Sequence, residues 1–441
     1  MSAAEQLKQK ILTSIAPVDN GGEWHVMSGE ITRETIQQAL ELYQRVEIPN
    51  IGKPVVLDGP VVLSSNHHLK VAREQLMLQG EGVETCLVRN EHIQNGAFHM
   101  PNGTRDRNIS VQGGIWKTAL GKRAYTDHEK SMRGAFGIII LCCVEQVSVT
   151  DLTVLDSSSY GVQLSDCADF TVENLHFQQH HKDGVHINGP ATRGVIRNLT
   201  GEKMGDDMVA LNAWDWQTSA ITFGTIDHLV VEHVQSNQNE LRLLPGQKVF
   251  EDGTRVDCDI RDCVLEDISG IYTFKMYAQP NIANAISGIH DVSGTVGRIE
   301  HVFVRNISFV KVTPSGLNGL PVKSLFEICA DCNDIVLEDI RVNNSLQECR
   351  EMDVCLVNVG PLSAVWKNGS ERPEDWGEVF DPDAVCRVDR LHLNRIQFAG
   401  ERVTDPGHLV RTVTMKINPD YPKTTPRGGT GYGTVGEVTV E

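Results

Sequence analysis

Three stretches in the middle of the chain align without gaps at their key positions: VSVTDLTVLDSSSYGVQL from Val147, FTVENLHFQQHHKDGVHI from Phe170 and VIRNLTGEKMGDDMVAL from Val195. The period is about 23 residues, a spacing that marks stacked repeats. Leu152, Leu175 and Leu199 form one column, each following Asp or Asn, and Val162, Val185 and Val209 form another. The same strand, polar residue and apolar residue return in RNISV from Arg107, VRNISF from Val304, VLEDIRV from Val336 and LNRIQF from Leu393. Short strands of period two, parted by Gly, Asn, Asp and Ser, leave too few residues for a two-layer unit and carry no helical period. Such a chain winds into an all-β parallel solenoid, one coil per repeat, with coils about 4.8 Å apart and the apolar columns turned inward.

A solenoid must cover its ends, because an exposed end coil offers unpaired backbone. ETIQQALELYQRV (34–46) has the 3.6-residue period of an amphipathic helix and precedes VVLDGPVVL, so it is expected to cap the N-terminal end. Residues 1–50 then form an N-terminal segment with its capping helix, and 51–441 the solenoid with loop insertions, one domain overall. Segments 117–134 and 360–385 are the expected insertions. A net charge of −18 argues against a nucleic-acid partner, which needs dense Lys and Arg. No stretch has the length of a signal core or a membrane span, so a cytoplasmic location without membrane contact is expected, or a secreted one had a leader been removed. The eleven cysteines follow no framework spacing and read as reduced core thiols. Cys329 and Cys332 form a lone CxxC without a second ligand pair, so no metal and no cofactor is expected.

The repeat places Asp183, Asp207 and Asn239 in one column on successive coils. Val185, Val209 and Leu241 point inward, and His186, Ala210 and Arg242 outward, followed by Asn188 and Asn212. SGIYTFKMYA adds Thr273 and Lys275 to the outer strip. A lone Asp in such a corner reads as a turn residue. Three carboxylates, with Asp206 beside Asp207, repel one another, and at least one is expected to hold its proton at raised pH, as a general acid must. An inverting glycosidase needs such an acid and a second carboxylate about 6.5–9.5 Å away to activate water. Trp214 and Trp216 leave the strand in NAWDWQTSAITFG and offer either a sugar-stacking wall or loop packing. His186, Asn212, Asn239, Arg242 and Lys275 complete the expected contacts to an oligo- or polysaccharide. His180 and His181 are neighbours that project in different directions, which disfavours a metal pair, and Lys182 reads as a solvated turn residue.

From about residue 35 to 345 the chain resembles the glycoside hydrolase family of polygalacturonases and rhamnogalacturonases, which are right-handed parallel β-helices of the pectin-lyase-like type. The family's Asn-Thr-Asp-Gly turn is matched in its second half by Asp183-Gly184, its Gly-Asp-Asp turn in full by Gly205-Asp206-Asp207, and its Arg-Ile-Lys strand in the lysine by Lys275. RNISVQGGIW (107–116) looks like the family's opening coil. The resemblance implies that Asp206 protonates the glycosidic oxygen, that Asp183 and Asp207 activate water, and that Lys275 grips a substrate carboxylate or hydroxyl. Gln238-Asn239-Glu240 stands where the family has Gly-His-Gly, and Thr273 where it has the arginine; Arg242 is the cation that could replace it. These departures leave open whether the substrate is a pectin-like uronide or a related glycan. The implied activity is an inverting hydrolase, possibly exo-acting. A calcium-dependent lyase or epimerase and a non-catalytic glycan-binding solenoid are the alternatives.

Overall fold

The computed structural model describes the chain except residues 20, 95–96, 99–103, 123–136, 215–220, 250–251, 278–296, 315–321, 361, 367–376, 380–385, 414, 418–423 and 427–432. Trp216 and much of the two expected insertions lie outside the described residues. The chain falls into two compact units, one of Met1–Leu211, Thr218–Phe223 and His228–Asn237, the other of Asn212–Gln217, Gly224–Asp227 and Gln238–Glu441.

In the first unit the strands Arg45–Ile48, His68–Gln79, Asp106–Lys117, Ile139–Thr150, Val162–His180 and Val185–Met204 pair in parallel. Ile139 lies beside Val162 and Val162 beside Val185, so here successive coils are offset by 23 residues. All three are fully buried, which is the inward column the repeat predicts. In the second unit Ile260, Ile299, Cys332, Val388 and Val435 form the corresponding ladder, with 33 to 56 residues between paired positions. A second ladder there runs from Phe274 to Phe326 to Val357, and Phe326 also meets Phe309 edge-on at 5.2 Å.

The polar residue of the repeat signature has a geometric cause. Asn108, Asp151, Asn174 and Asn198 in the first unit, and Asp267, Asn306, Asp339 and Arg395 in the second, all have φ between +52° and +62°. Each turns a corner between two strands in the left-handed region, where Asn and Asp cost least among residues with a Cβ. Their side chains also stack: Asn198 donates to Asn174 Oδ1 at 3.0 Å, and Asn174 to Asp151 Oδ1 at 3.0 Å.

The capping helix is shorter than its period suggests, spanning Arg33–Leu42. The chain is extended from Tyr43, because Val46 and Ile48 bury completely on the strand Arg45–Ile48. The helix covers an open strand edge through one side chain: Gln37 Nε2 donates to Val62 O at 3.1 Å, and Val62 N donates to Gln37 Oε1 at 2.9 Å. An unanticipated helix, Ala3–Ser14, starts at a Ser2–Glu5 capping box, buries Leu7 and Ile11, and pairs Lys8 with Glu232. In the 360–385 segment, Leu362–Trp366 and Gly377–Val379 pair within a small four-stranded sheet. All eleven cysteines carry free thiols, ten of them buried. No helix among the described residues is long and apolar enough to cross a membrane.

Candidate functional site

Asp183 precedes the strand Val185–Met204, and Asp207 opens the strand Asp207–Asn212. Gly161 N donates to Asp183 O at 3.0 Å and Gly184 N to Asp207 O at 2.9 Å, so the two acids occupy equivalent positions on successive coils, as the repeat predicts. The coils approach closely here, which explains the glycines. A Cβ on Gly184 would sit 2.8 Å from Met208 O, and one on Gly205 would sit 2.7 Å from His180 O.

One carboxylate oxygen of Asp183, one of Asp206 and one of Asp207 lie within 4.8 Å of each other. This is closer than the 6.5–9.5 Å expected of two carboxylates flanking a water. Asp183 and Asp207 are buried, at 3% and 0% exposure, and Asp206 is half-buried. No other described His, Cys, Asp or Glu joins the group. Three such oxygens fall short of the six to eight ligands that calcium takes.

The histidines pack around these acids. His180 donates from Nδ1 to the Lys182 carbonyl, and burial pushes it down to about 4 although Asp183 and Asp206 pull it up, so its ring is neutral near pH 7. His181 turns away to Asp156, at 3.1 Å. His186 differs from its expected role as an exposed substrate contact. Its ring is 1% exposed, with Nδ1 2.5 Å from Asp183 Oδ2 and Nε2 3.1 Å from Asn188 Nδ2, under the Tyr160 ring at 4.2 Å. Alternation put it on the outer side of the strand but did not reveal what covers that side. Lys182, expected in solvent, is 2% exposed and places Nζ 5.3 Å from the centre of the Tyr160 ring, a cation–π contact.

The second unit holds a different polar cluster. Lys275 is ion-paired with Glu240, and the Tyr272 hydroxyl donates to Glu240. Lys275 is in register with Glu327, Glu327 with Asn358, and Asn358 with Arg411. Glu327 is 3% exposed and its Oε1 has no hydrogen-bond partner among the described residues. Burial therefore pushes its carboxyl up to about 7, with Lys275 pulling it down and Glu240 up. Lys275 is thus engaged by a carboxylate of its own chain, contrary to the open grip expected of it. Asn239 is buried, with its Oδ1 accepting from Glu240 N at 2.8 Å, and Arg242 is half-buried. Asn212 is fully buried as well. Trp214 is 5% exposed and its backbone N–H donates to Leu244 O at 3.1 Å, which is packing rather than a sugar wall. Glu240, Tyr272 and Glu327 escaped sequence reasoning, although a single acid inside the apolar run SLFEICA was a visible signal.

No family model matches the sequence, and a search of curated proteins finds no match. Among solved structures, an exopolygalacturonase from Thermotoga maritima superposes with a TM-score of 0.59 at 10% identity, over 98% of this chain and 100% of that one. The family 28 exopolygalacturonase of Yersinia enterocolitica (0.44, 12% identity, 94% of this chain and 78% of that one) and the adhesin PfbA of Streptococcus pneumoniae (0.43, 10%, 90% of each) are more distant. At such identities the likeness speaks for the fold. The chain has the pectin-lyase-like parallel β-helix fold on which polygalacturonase-type glycoside hydrolases are built.

Proposed function

We propose that the protein is an inverting glycoside hydrolase acting on a uronic-acid-containing or related oligosaccharide. The observation that carries this reading is the meeting of three carboxylates from two coils within 4.8 Å. Carboxylates this close cannot all ionise without strong repulsion, so the cluster retains a proton near neutral pH. Asp206, the most exposed of the three, delivers it to the glycosidic oxygen as the bond to the anomeric carbon breaks. Asp183 and Asp207 supply the water. Two oxygens less than 4.8 Å apart can both accept from one water through hydrogen bonds of about 2.7–2.8 Å, so the short spacing suits a shared water rather than a separate nucleophile. That water attacks the anomeric carbon from the opposite face and leaves its proton on the pair. The coils are taken as right-handed, the hand of nearly all parallel crossovers. Release of one or two sugars at a time, from oligosaccharides taken up by the cell, belongs to the same reading.

The test is a panel of uronic and neutral oligosaccharides, with products separated by chromatography and the first-formed anomer read by proton NMR. The wild type is expected to release reducing sugar of inverted configuration, unaffected by chelator. Asp206→Asn should lower kcat by about 10²–10⁴-fold with the fold intact. An unsaturated, ultraviolet-absorbing product that disappears with chelator would make it a lyase. Glycan binding without turnover, unchanged in Asp206→Asn, would make it a binding protein.

A further inference from the structure

The hydrogen bonds behind Asp183 determine where the protons sit. The backbone N–H of Ile221 can only donate, and it faces Asn188 Oδ1 at 3.5 Å, which fixes the orientation of that amide. The same oxygen accepts from Gln163 Nε2 at 2.9 Å and from Ser165 Oγ at 3.2 Å. Asn188 Nδ2 must then be the atom that meets His186 Nε2 at 3.1 Å, and it too can only donate. Nε2 is therefore bare, the ring hydrogen is on Nδ1, and Nδ1 donates to Asp183 Oδ2 at 2.5 Å. The facing oxygen of Asp183 carries no proton. Register supports the relay, since Gln163 lies beside His186 and Ser165 beside Asn188 on adjacent strands. Gln163, Ser165, His186 and Asn188 are all 0–1% exposed, so water does not compete for these bonds.

We propose that His186 is a positioning residue that holds Asp183 as the ionised member of the acid cluster, leaving the cluster's proton to Asp206. The inference rests on the hydrolase reading for its consequence, but the proton arrangement stands on the hydrogen bonds alone. It explains why a cluster of three like groups has distinct roles: the donor chain ends on one acid, which becomes the acceptor, and the most exposed acid becomes the donor. The other titratable groups around the pair are His180, neutral to about pH 4, His181 with its Asp156, Lys182 over Tyr160, and Asp206 and Asp207 themselves. None of them replaces the Nδ1–H bond.

The experiment is the pH profile of kcat/KM for three variants whose folding is checked by circular dichroism. His186→Phe removes the donor, so the acid limb should move up by about one pH unit and kcat fall by about tenfold or more, with KM little changed. Asn188→Asp puts an acceptor where a donor stood and turns the ring into an imidazolium, so the limb should move down. His186→Asn keeps an N–H close to the Nδ1 position and should return the limb toward wild type. A structural role would shift all variants alike, and an acid limb unmoved in folded His186→Phe overturns the proposal. Should Asn188→Asp not fold, the contrast between His186→Phe and His186→Asn decides. If the wild type cleaves nothing on the panel, the hydrolase reading fails by itself. The ¹³C carboxyl titration of Asp183 must still move up in His186→Phe and down in Asn188→Asp, and equal titrations would refute the assignment.

Discussion

The acid cluster of the first unit and the charge cluster of the second are built from similar groups to opposite effect. In the first, three carboxylates converge and the histidines packed beside them are neutral imidazoles, His180 through burial and His186 through its bond from Asn188. In the second, Glu240 has a lysine and a tyrosine hydroxyl, and the extra acid, Glu327, is kept in its protonated form at mildly acidic pH by burial. Crowded acids without a cation among them hold a proton ready to give, whereas an ion pair holds a shape. The first arrangement is costly to the fold and has to be justified by chemistry. The second is a polar core that any binding role must share with Lys275.

The largest effect that could break this contrast is the pH dependence of stability, which has opposite signs in the two units. Glu327 is held at about 7 against an ordinary 4.5. Between those values the folded chain keeps a proton that the unfolded chain has released, so its contribution is full below about 4.5, falls as pH rises to about 7, and stays level above. His180 is held at about 4 against 6.5. There the unfolded chain takes the proton first, so stability falls as pH drops from about 6.5 to about 4. Each amounts to something on the order of 3 kcal/mol. Glu327→Gln should therefore be more stable than wild type above pH 7 and similar to it at pH 4.5, by urea unfolding. His180→Asn should lose the decline on the acid side. Parallel curves for wild type and Glu327→Gln would mean that Glu327 is not held protonated.

A smaller effect sharpens the comparison at the level of ligand charge. The resemblance assigns Lys275 to a substrate carboxylate, yet Glu240 already occupies it. Glu240→Gln keeps an acceptor for Tyr272 and hands the lysine back. In an Asp206→Asn background, affinity for uronic oligosaccharides should rise about tenfold while neutral ones are unaffected, read by calorimetry. Unchanged affinity for both would show that Lys275 serves the fold alone.

The first unit was the more legible in sequence, and the reason is physical. A regular 23-residue offset fixes register, and register put Asp183 and Asp207 on neighbouring coils before any coordinates were known. In the second unit the offsets between paired positions run from 33 to 56 residues, so Glu240, Lys275 and Glu327 could not be brought together by alignment. Alternation also told which side of a strand a residue takes but not what lies over it. His186 and Lys182 were placed outward, and Tyr160 covers both. The capping helix overran because ELYQRV continues an amphipathic pattern, while burial of Val46 and Ile48 in a strand decides the competition. The corner signature was visible, but only the positive φ values explain why Asn and Asp recur in it.

Those corners give the finest test of how the two units differ. The first stacks amides, with Asn174 between Asp151 and Asn198, and the second stacks charges, with Arg395 on Asp339 at 2.7 Å and on Glu338 at 2.7 Å. Asn174→Ala loses both the ladder bonds and the tolerance for φ of +60°, whereas Asn174→Gly loses the bonds only, so the two should differ by about 1 kcal/mol in urea unfolding. That difference should not depend on salt, because no charge changes. Asp339→Asn keeps the corner conformation and removes an exposed charge from the Arg395 pair, so its cost should be a few tenths of a kcal/mol and should fade as ionic strength rises past the Debye screening range. Salt sensitivity at Asn174, or its absence at Asp339, would mean that both ladders are held by corner geometry alone and that the charges in the second are incidental.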